Sequence, residues 1–253
     1  MHEVWVNTQV LHARSNSIRI EAWKICFAGS GMMLEEFELT SLMSRPDLPR
    51  IAATINATLE AERQRRQRFR ADLTPSVKAE FIAGQMVMHS PAKAKHLRVT
   101  DNLVSLLRHY VIANQSGEVF TEKALICLTR NDYEPDVCFF NAEKAATFDG
   151  DTMEFPAPDF IVEVLSDSTA HRDRGVKFDD YALHGVKEYW IIDCDAESVE
   201  QYILPNGRTN YDLAHKLTEG PIESIVVSGF RIPVIALFDT QENQQALRSI
   251  LEA

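Results

Sequence analysis

The sequence predicts a mixed α/β (α+β) fold, a β-sheet with helices flanking it. Three observations carry that expectation. Short apolar, β-branched runs recur as "DVCFF", "FIVEV" and "YWIID". Two long stretches, beginning near Ile51 and Lys93, carry helical spacing instead. Helices and strands then alternate, but without the strict strand, helix, strand rhythm of a doubly wound sheet.

The first helical stretch runs from Ile51 to about Phe69, with Ile51, Ile55 and Leu59 on one face, and passes into the basic tract "ERQRRQRFR". Those arginines could hold phosphates, although a solvated helix end complementing the helix dipole is the stronger expectation. "VKAEFIAGQMVMHSP" alternates around Gly84, as two antiparallel strands joined by a tight turn would. Lys93 to Asn114 reads as the first core helix, with Val99, Leu103, Leu106, Leu107 and Tyr110 facing inward. His96 shares that face, which is ordinary for a core histidine. Its place at the helix start beside Lys93, Lys95 and Arg98 leaves a role at a site open.

Further strands are expected in "EVFTEKALICLTRNDYEPDVCFF", followed by a surface connection from Asn141 to Pro158. After the "FIVEV" strand and a polar turn, a helix from about Asp173 to His184 should end at Gly185. "VKEYWIIDCDAESVEQYIL" is a hairpin pattern, "GFRIPVIALF" closes the core, and "NQQALRSILEA" forms a terminal helix. Residues 1–32 have no clear period, and Met32 or Met33 is the expected biological start. The expected division is an extension over 1–72, partly helical; a main domain over 73–240; and a C-terminal helix over 241–253.

Composition narrows the function. The 253 residues, 45% hydrophobic and 25% charged, can bury one substantial core. No run nears the roughly 18 apolar residues of a membrane span, and no signal-peptide pattern opens the chain, so a cytoplasmic protein without a membrane partner is expected. A net charge of -11 counts against coating nucleic acid through the overall field, though not against a small basic groove. Cys26, Cys127, Cys138 and Cys194 are scattered with no CxxC pair, and read as free thiols, most of them buried.

Glu163 is the residue that demands explanation. It interrupts the buried run Phe160, Ile161, Val162, Val164, Leu165, where an ionised carboxylate costs several kcal/mol unless a proton, cation or metal compensates it. Asp136 opens the run "DVCFF" directly after Pro135, as Asp159 opens "FIVEV". If two parallel or neighbouring strands carry them, Asp136 and Glu163 converge, and a shared proton or a divalent cation would relieve their repulsion. Lys177, with Tyr181 one turn later, lies on the following helix and could reach over the sheet. Two acids and a lysine around an ion are the working parts of metal-assisted phosphodiester hydrolysis.

The block "PDFIVEVLSDSTAHRDRGVKFDDYALHGVKEYWIID", with "AEFIAGQMVMHSP", "KHLRV", "EPDV" and "GFRIPVIALF", closely resembles the Uma-two family of endonucleases, a branch of the PD-(D/E)XK nuclease superfamily. The resemblance spans roughly residues 75 to 240. It implies a restriction-endonuclease-like central mixed sheet flanked by helices, and cleavage of DNA with Mg²⁺ or Mn²⁺. It makes Asp136 the acid of the PD motif, Glu163 the second acid and Glu80 a third, with Asp136, Glu163 and Glu80 as metal ligands. Leu165 stands where the wider superfamily has lysine, so Lys177 on the next helix becomes the catalytic lysine. His96 and Tyr181 are accessory candidates. Ala83, Gln85 and Cys194 depart from the family pattern. The resemblance also implies a homodimer. A nuclease-like module that binds nucleic acid or protein without cutting is the alternative.

Overall fold

In the computed structural model of the chain, residues 39–74 and 77–252 are described. The region without a clear period and the expected start at Met32 or Met33 lie outside them. Two units divide the chain, 1–56 and 57–253. The described part of the first is helical at 39–43 and again from Leu48, and Arg45 Nε lies 2.9 Å from Asp47 Oδ1.

The second unit holds two principal sheets rather than one. The larger has six strands: β3 (Gly117–Thr121), β6 (Val137–Asn141), β8 (Phe160–Val164), β9 (Glu188–Asp193), β10 (Ser198–Ile203) and β11 (Asp212–Leu217). It is mixed, because β8 and β9 run parallel while the other neighbours are antiparallel. The hairpin expected around "DCDAES" is β9–β10, and β11 extends it as a strand the sequence did not announce. A five-stranded sheet of β1 (Ala79–Ile82), β2 (Gln85–Met88), β4 (Leu125–Cys127), β5 (Asp132–Tyr133) and β7 (Glu154–Phe155) stands beside it. Ala83 and Gly84, at φ 48° and 82°, make the left-handed turn that joins β1 to β2.

Helix α1 (Leu48–Asp72) begins three residues before the predicted start. Helix α2 (Ala94–Ala113) packs Val99, Leu103, Leu106 and Leu107 onto one face of the larger sheet. The connection expected to be irregular from Asn141 contains α3 (Ala142–Ala145), capped by the Asn141 side chain, and β7. The helix expected from Asp173 is two pieces, α4 (Ala170–Asp173) and α5 (Val176–Leu183), and Gly185 follows at φ 77°. Strands β12 (Pro221–Glu223) and β13 (Arg231–Pro233) and a 3₁₀ turn at Val234–Leu237 lead to α6 (Thr240–Glu252), whose Ala246, Leu247 and Ile250 pack on the core.

The strand period assigns the two faces of the larger sheet. Val137, Phe139, Phe160, Val162, Val164, Trp190 and Ile192 face the α2 side. Cys138, Phe140, Ile161, Tyr189 and Ile191 face the α5 side, joined by Ile82 of β1 and Tyr181. Among the described cysteines Cys138 is buried, Cys127 and Cys194 are half-buried, and all three are free thiols.

Candidate active site

Alternation along β8 places Glu163 on the face of Ile161, toward α5, and buries it to 3% exposure. Asp136 precedes β6, which pairs antiparallel to β8 with Val137 opposite Val162. One step beyond that pair sets Asp136 opposite Glu163. The two strands are neighbours, as convergence requires, and antiparallel. Asp159 is therefore carried to the other end of the sheet, where it accepts the Asn141 amide at 2.9 Å and lies 3.1 Å from Lys144. Asp136 stays at the site because its Oδ2 accepts the Val164 amide at 2.9 Å.

Lys177 sits in the first turn of α5. Gly175 allows that placement, since a Cβ there would come within 2.8 Å of the His171 carbonyl oxygen. Lys177 Nζ lies 2.9 Å from Glu163 Oε1, 2.9 Å from Glu80 Oε1 and 3.4 Å from Asp173 Oδ1, at only 1% exposure. The Tyr181 hydroxyl donates to the same Glu163 oxygen at 3.0 Å. Glu80, brought in by β1, also accepts the Glu134 amide at 3.1 Å and has His89 Nε2 3.0 Å from its other oxygen.

A second group lies on the open side of Asp136. Lys78 Nζ is 3.0 Å from Asp136 Oδ1 and 2.7 Å from Glu122 Oε2. His96 Nε2 lies 3.5 Å from Asp136 Oδ1. Ligand atoms of His96, Glu122 and Asp136 all fall within 4.8 Å of one another, so three elements offer one imidazole nitrogen and two carboxylate oxygens to a common point. Lys78, Glu122, Asp173 and His89 were not foreseen as site residues. Lys78 stands two before Glu80 on one strand face, and Asp173 one helical turn before Lys177; both spacings were readable. Glu122 arrives through a backbone at φ 62°, and no sequence pattern marks that.

The electrostatics follow from excess negative charge. Burial pushes the Glu163 carboxyl up, Lys177 opposes, and the Asp173, Asp136 and Glu80 carboxylates add to the rise, to about 8. Burial alone would favour the neutral Lys177 amine, but Glu163, Glu80 and Asp173 outweigh it and hold the ammonium well above its usual value. For Glu80, burial is overcome by Lys177 and His89, which lower it to about 2. For Asp136, burial is overcome by His96, Lys78 and the Val164 amide, which lower it. His96 is raised, burial notwithstanding, by Asp136 and Glu122.

These groups line a cleft of about 790 Å³. Asp136, Glu163, Lys177, Lys78, His96 and Glu122 reach it, and Lys93, Lys95 and Arg172 stand around it. Glu80 does not line it and lies behind Lys177. The arginine tract is elsewhere. Arg66 and Arg70 both grip the fully buried Asp132, with Nη2 to Oδ1 distances of 2.5 and 2.6 Å, and Arg65 donates to the Gly84 carbonyl at 3.0 Å. Those three are thus neither phosphate ligands nor a solvated helix end.

The family model described as "Putative restriction endonuclease", Uma2, matches residues 63–234. The chain belongs to the Uma2 family. Within known proteins, this Uma2 member is 34% identical over 128 residues to an uncharacterized protein of Synechocystis sp. (strain ATCC 27184 / PCC 6803 / Kazusa), covering 49% of this chain and 71% of the relative. Among solved structures it is similar to a crystal structure titled a "putative nuclease belonging to DUF820" from Anabaena variabilis ATCC 29413. That match has a TM-score of 0.55 and 18% identity, and covers 67% of this chain and 90% of the other. The fold is therefore of the restriction-endonuclease-like kind expected. No helix among the described residues is long and apolar enough to cross a membrane.

Proposed function

We propose that this Uma2 protein is a metal-dependent endonuclease hydrolysing DNA phosphodiester bonds, with Mg²⁺ or Mn²⁺ held by Asp136 and Glu163. One observation carries the reading. Asp136, Glu163 and Asp173 are buried at the cleft and Glu80 is buried behind Lys177, which is the only fully buried cation among the described residues. Such a surplus of buried carboxylate is stable with a further cation. Oxygen donors beside one imidazole suit Mg²⁺ or Mn²⁺.

When bound, the ion supplies a Lewis acid that polarises the phosphoryl group and lowers the pKa of a nearby water. The chain's own groups set the stage. The Val164 amide fixes one oxygen of Asp136 and leaves the other toward the cleft. Lys177 and Tyr181 hold Glu163 in a single orientation. His96 and Glu122 extend the donor set on the open side. Glu80 serves as a third ligand only by releasing Lys177, and as placed it fixes that lysine. In the reaction water adds to phosphorus and one ester P–O bond breaks. One proton leaves the water and one reaches the departing oxygen, giving a phosphomonoester and a hydroxyl. Lys93, Lys95 and Arg172 provide positive charge for the DNA backbone at the cleft's edge. Cutting both strands calls for two such sites, and a homodimer belongs to this reading.

The test is incubation of the purified chain with supercoiled plasmid in Mg²⁺, in Mn²⁺ and in chelator. Nicked or linear product in metal alone is expected. An intact plasmid, together with no calorimetric affinity for either ion, would favour the non-cutting binding module instead.

A further inference from the structure

The endonuclease reading puts two lysines at one cleft, and their surroundings differ in a way that assigns them different work. An ammonium has three N–H donors. Lys177 meets three carboxylates, Glu80, Glu163 and Asp173, and its Nζ lies 5.9 Å from the centre of the Tyr133 ring. It hydrogen-bonds Glu163 and makes ion pairs with the other two, and burial closes it off from a substrate. Its side chain is only 2% exposed.

Lys78 meets two carboxylates, Asp136 and Glu122. Its side chain is 20% exposed and lines the cleft. One donor therefore remains, on an ammonium already seated 3.0 Å from the acid placed at the reacting end of the sheet. Position is fixed by the backbone as well. The Lys78 carbonyl accepts the His89 amide at 3.1 Å, which continues the β1–β2 pairing beyond Ala79 and Met88 and holds Lys78 at the strand's entrance. Strand alternation aims Lys78 and Glu80 to the same side, so one short strand sends a cation into the cleft and an acid behind it.

We propose that Lys78 is the cation that contacts the scissile phosphate, its free N–H donating to a non-bridging phosphoryl oxygen, and that Lys177 is a positioning residue that holds Glu163 and Glu80. The inference rests on the endonuclease reading. Lys78 gives and takes no proton in the step. It offsets the charge that grows on the phosphoryl oxygens as water adds, and such fixed donors act strongly in a site partly closed to water. Lys93 and Lys95 are poorer candidates, being paired with the exposed acids Asp167 and Asp195 at the rim.

The experiment compares the full chain with Lys78→Met, Lys78→Arg and Lys177→Met. It measures single-turnover cleavage of duplex DNA in saturating Mn²⁺, Mn²⁺ affinity by calorimetry, and thermal unfolding. Lys78→Met should slow cleavage about 100-fold, the usual effect of losing one such donor, and Lys78→Arg should recover part of the rate. Mn²⁺ affinity should hold or rise, and Lys78→Met should remain folded, with some loss of unfolding temperature from leaving Asp136 without its lysine. The decisive readout uses DNA with one non-bridging oxygen of each linkage replaced by sulfur, in one diastereomer at a time. For the diastereomer that places sulfur at Lys78, the slowing seen in the unmodified chain should largely vanish in Lys78→Met. A role confined to structure would leave that ratio unmoved. Lys78→Met cleaving within about threefold of the unmodified chain, or an unchanged sulfur ratio with both diastereomers, overturns the inference while leaving the nuclease reading intact. Failure of the unmodified chain to cleave DNA or to bind Mn²⁺ overturns both.

Discussion

Glu80 and Glu163 belong to different sheets, yet each places its Oε1 2.9 Å from the same Lys177 ammonium. The lysine is therefore a joint between β1 and β8, as well as the cation that balances two buried acids. Asp173 at 3.4 Å makes it a joint with the preceding helical turn too.

Removing that cation leaves Glu80, Glu163 and Asp173 without their shared partner. Lys177→Met is expected to destabilise the fold by about 3–5 kcal/mol at neutral pH, the usual cost of breaking a buried pair from one side. Urea denaturation checks this. The loss should shrink as pH falls, because these acids can then take up protons. A variant as stable as the unmodified chain at pH 7 would mean that Lys177 is not the balancing charge.

The raised Glu163 carboxyl predicts a pH slope in chelator. Its folded value, about 8, lies above the ordinary 4.5, so the folded state binds the proton more tightly than the unfolded state does. The stabilisation is complete below about pH 4.5 and is lost as pH rises toward 8. Stability from denaturant titrations should fall across that window, and Glu163→Gln should flatten this part of the profile. An identical slope in the variant would assign the titration elsewhere.

Much of this arrangement was legible before the fold was known. Glu163 betrayed itself by sitting in an apolar run, and Asp136 by opening another after proline; both signals come from strand periodicity, which is local. Lys177 and Tyr181 were tied by helical spacing. What stayed hidden depended on tertiary geometry. The antiparallel pairing of β6 and β8 decides that Asp136, and not Asp159, meets Glu163. Alternation marked the β1–β2 hairpin, but the strands that complete the second sheet are two or three residues long, too short for a periodic signature, and it is this sheet that brings Lys78 and Glu80 to the site. The break at Gly175 was lost for the same reason, since it answers a contact with the His171 carbonyl rather than a sequence pattern.

The arginine tract provides a contrast between structural and substrate-facing charge. Asp132 is fully buried and held by Arg66 and Arg70. Arg66→Ala is expected to cost about 3 kcal/mol of stability and to leave DNA affinity in chelator unchanged, as denaturation and gel-shift titrations would reveal. Weaker DNA binding without loss of stability would return the tract to the substrate.

Charge at the cleft's edge should behave the other way. Lys93 is exposed and its partner Asp167 more so, a pairing worth little to stability. Lys93→Ala should reduce the slope of log affinity for duplex DNA against log salt by about one and leave unfolding unaltered. An unchanged slope would place the DNA backbone away from this rim.

The central claim, that Glu163 is buried to hold a catalytic cation, is tested most directly by cleavage of supercoiled plasmid with Glu163→Gln beside the unmodified chain in Mn²⁺. Glutamine keeps the shape and leaves Lys177 paired with Glu80 and Asp173, so the variant should stay folded, which its circular dichroism would verify. The account predicts metal-dependent nicking by the unmodified chain and a loss of about 100-fold or more in the folded variant. A folded Glu163→Gln that cuts at the original rate would contradict it.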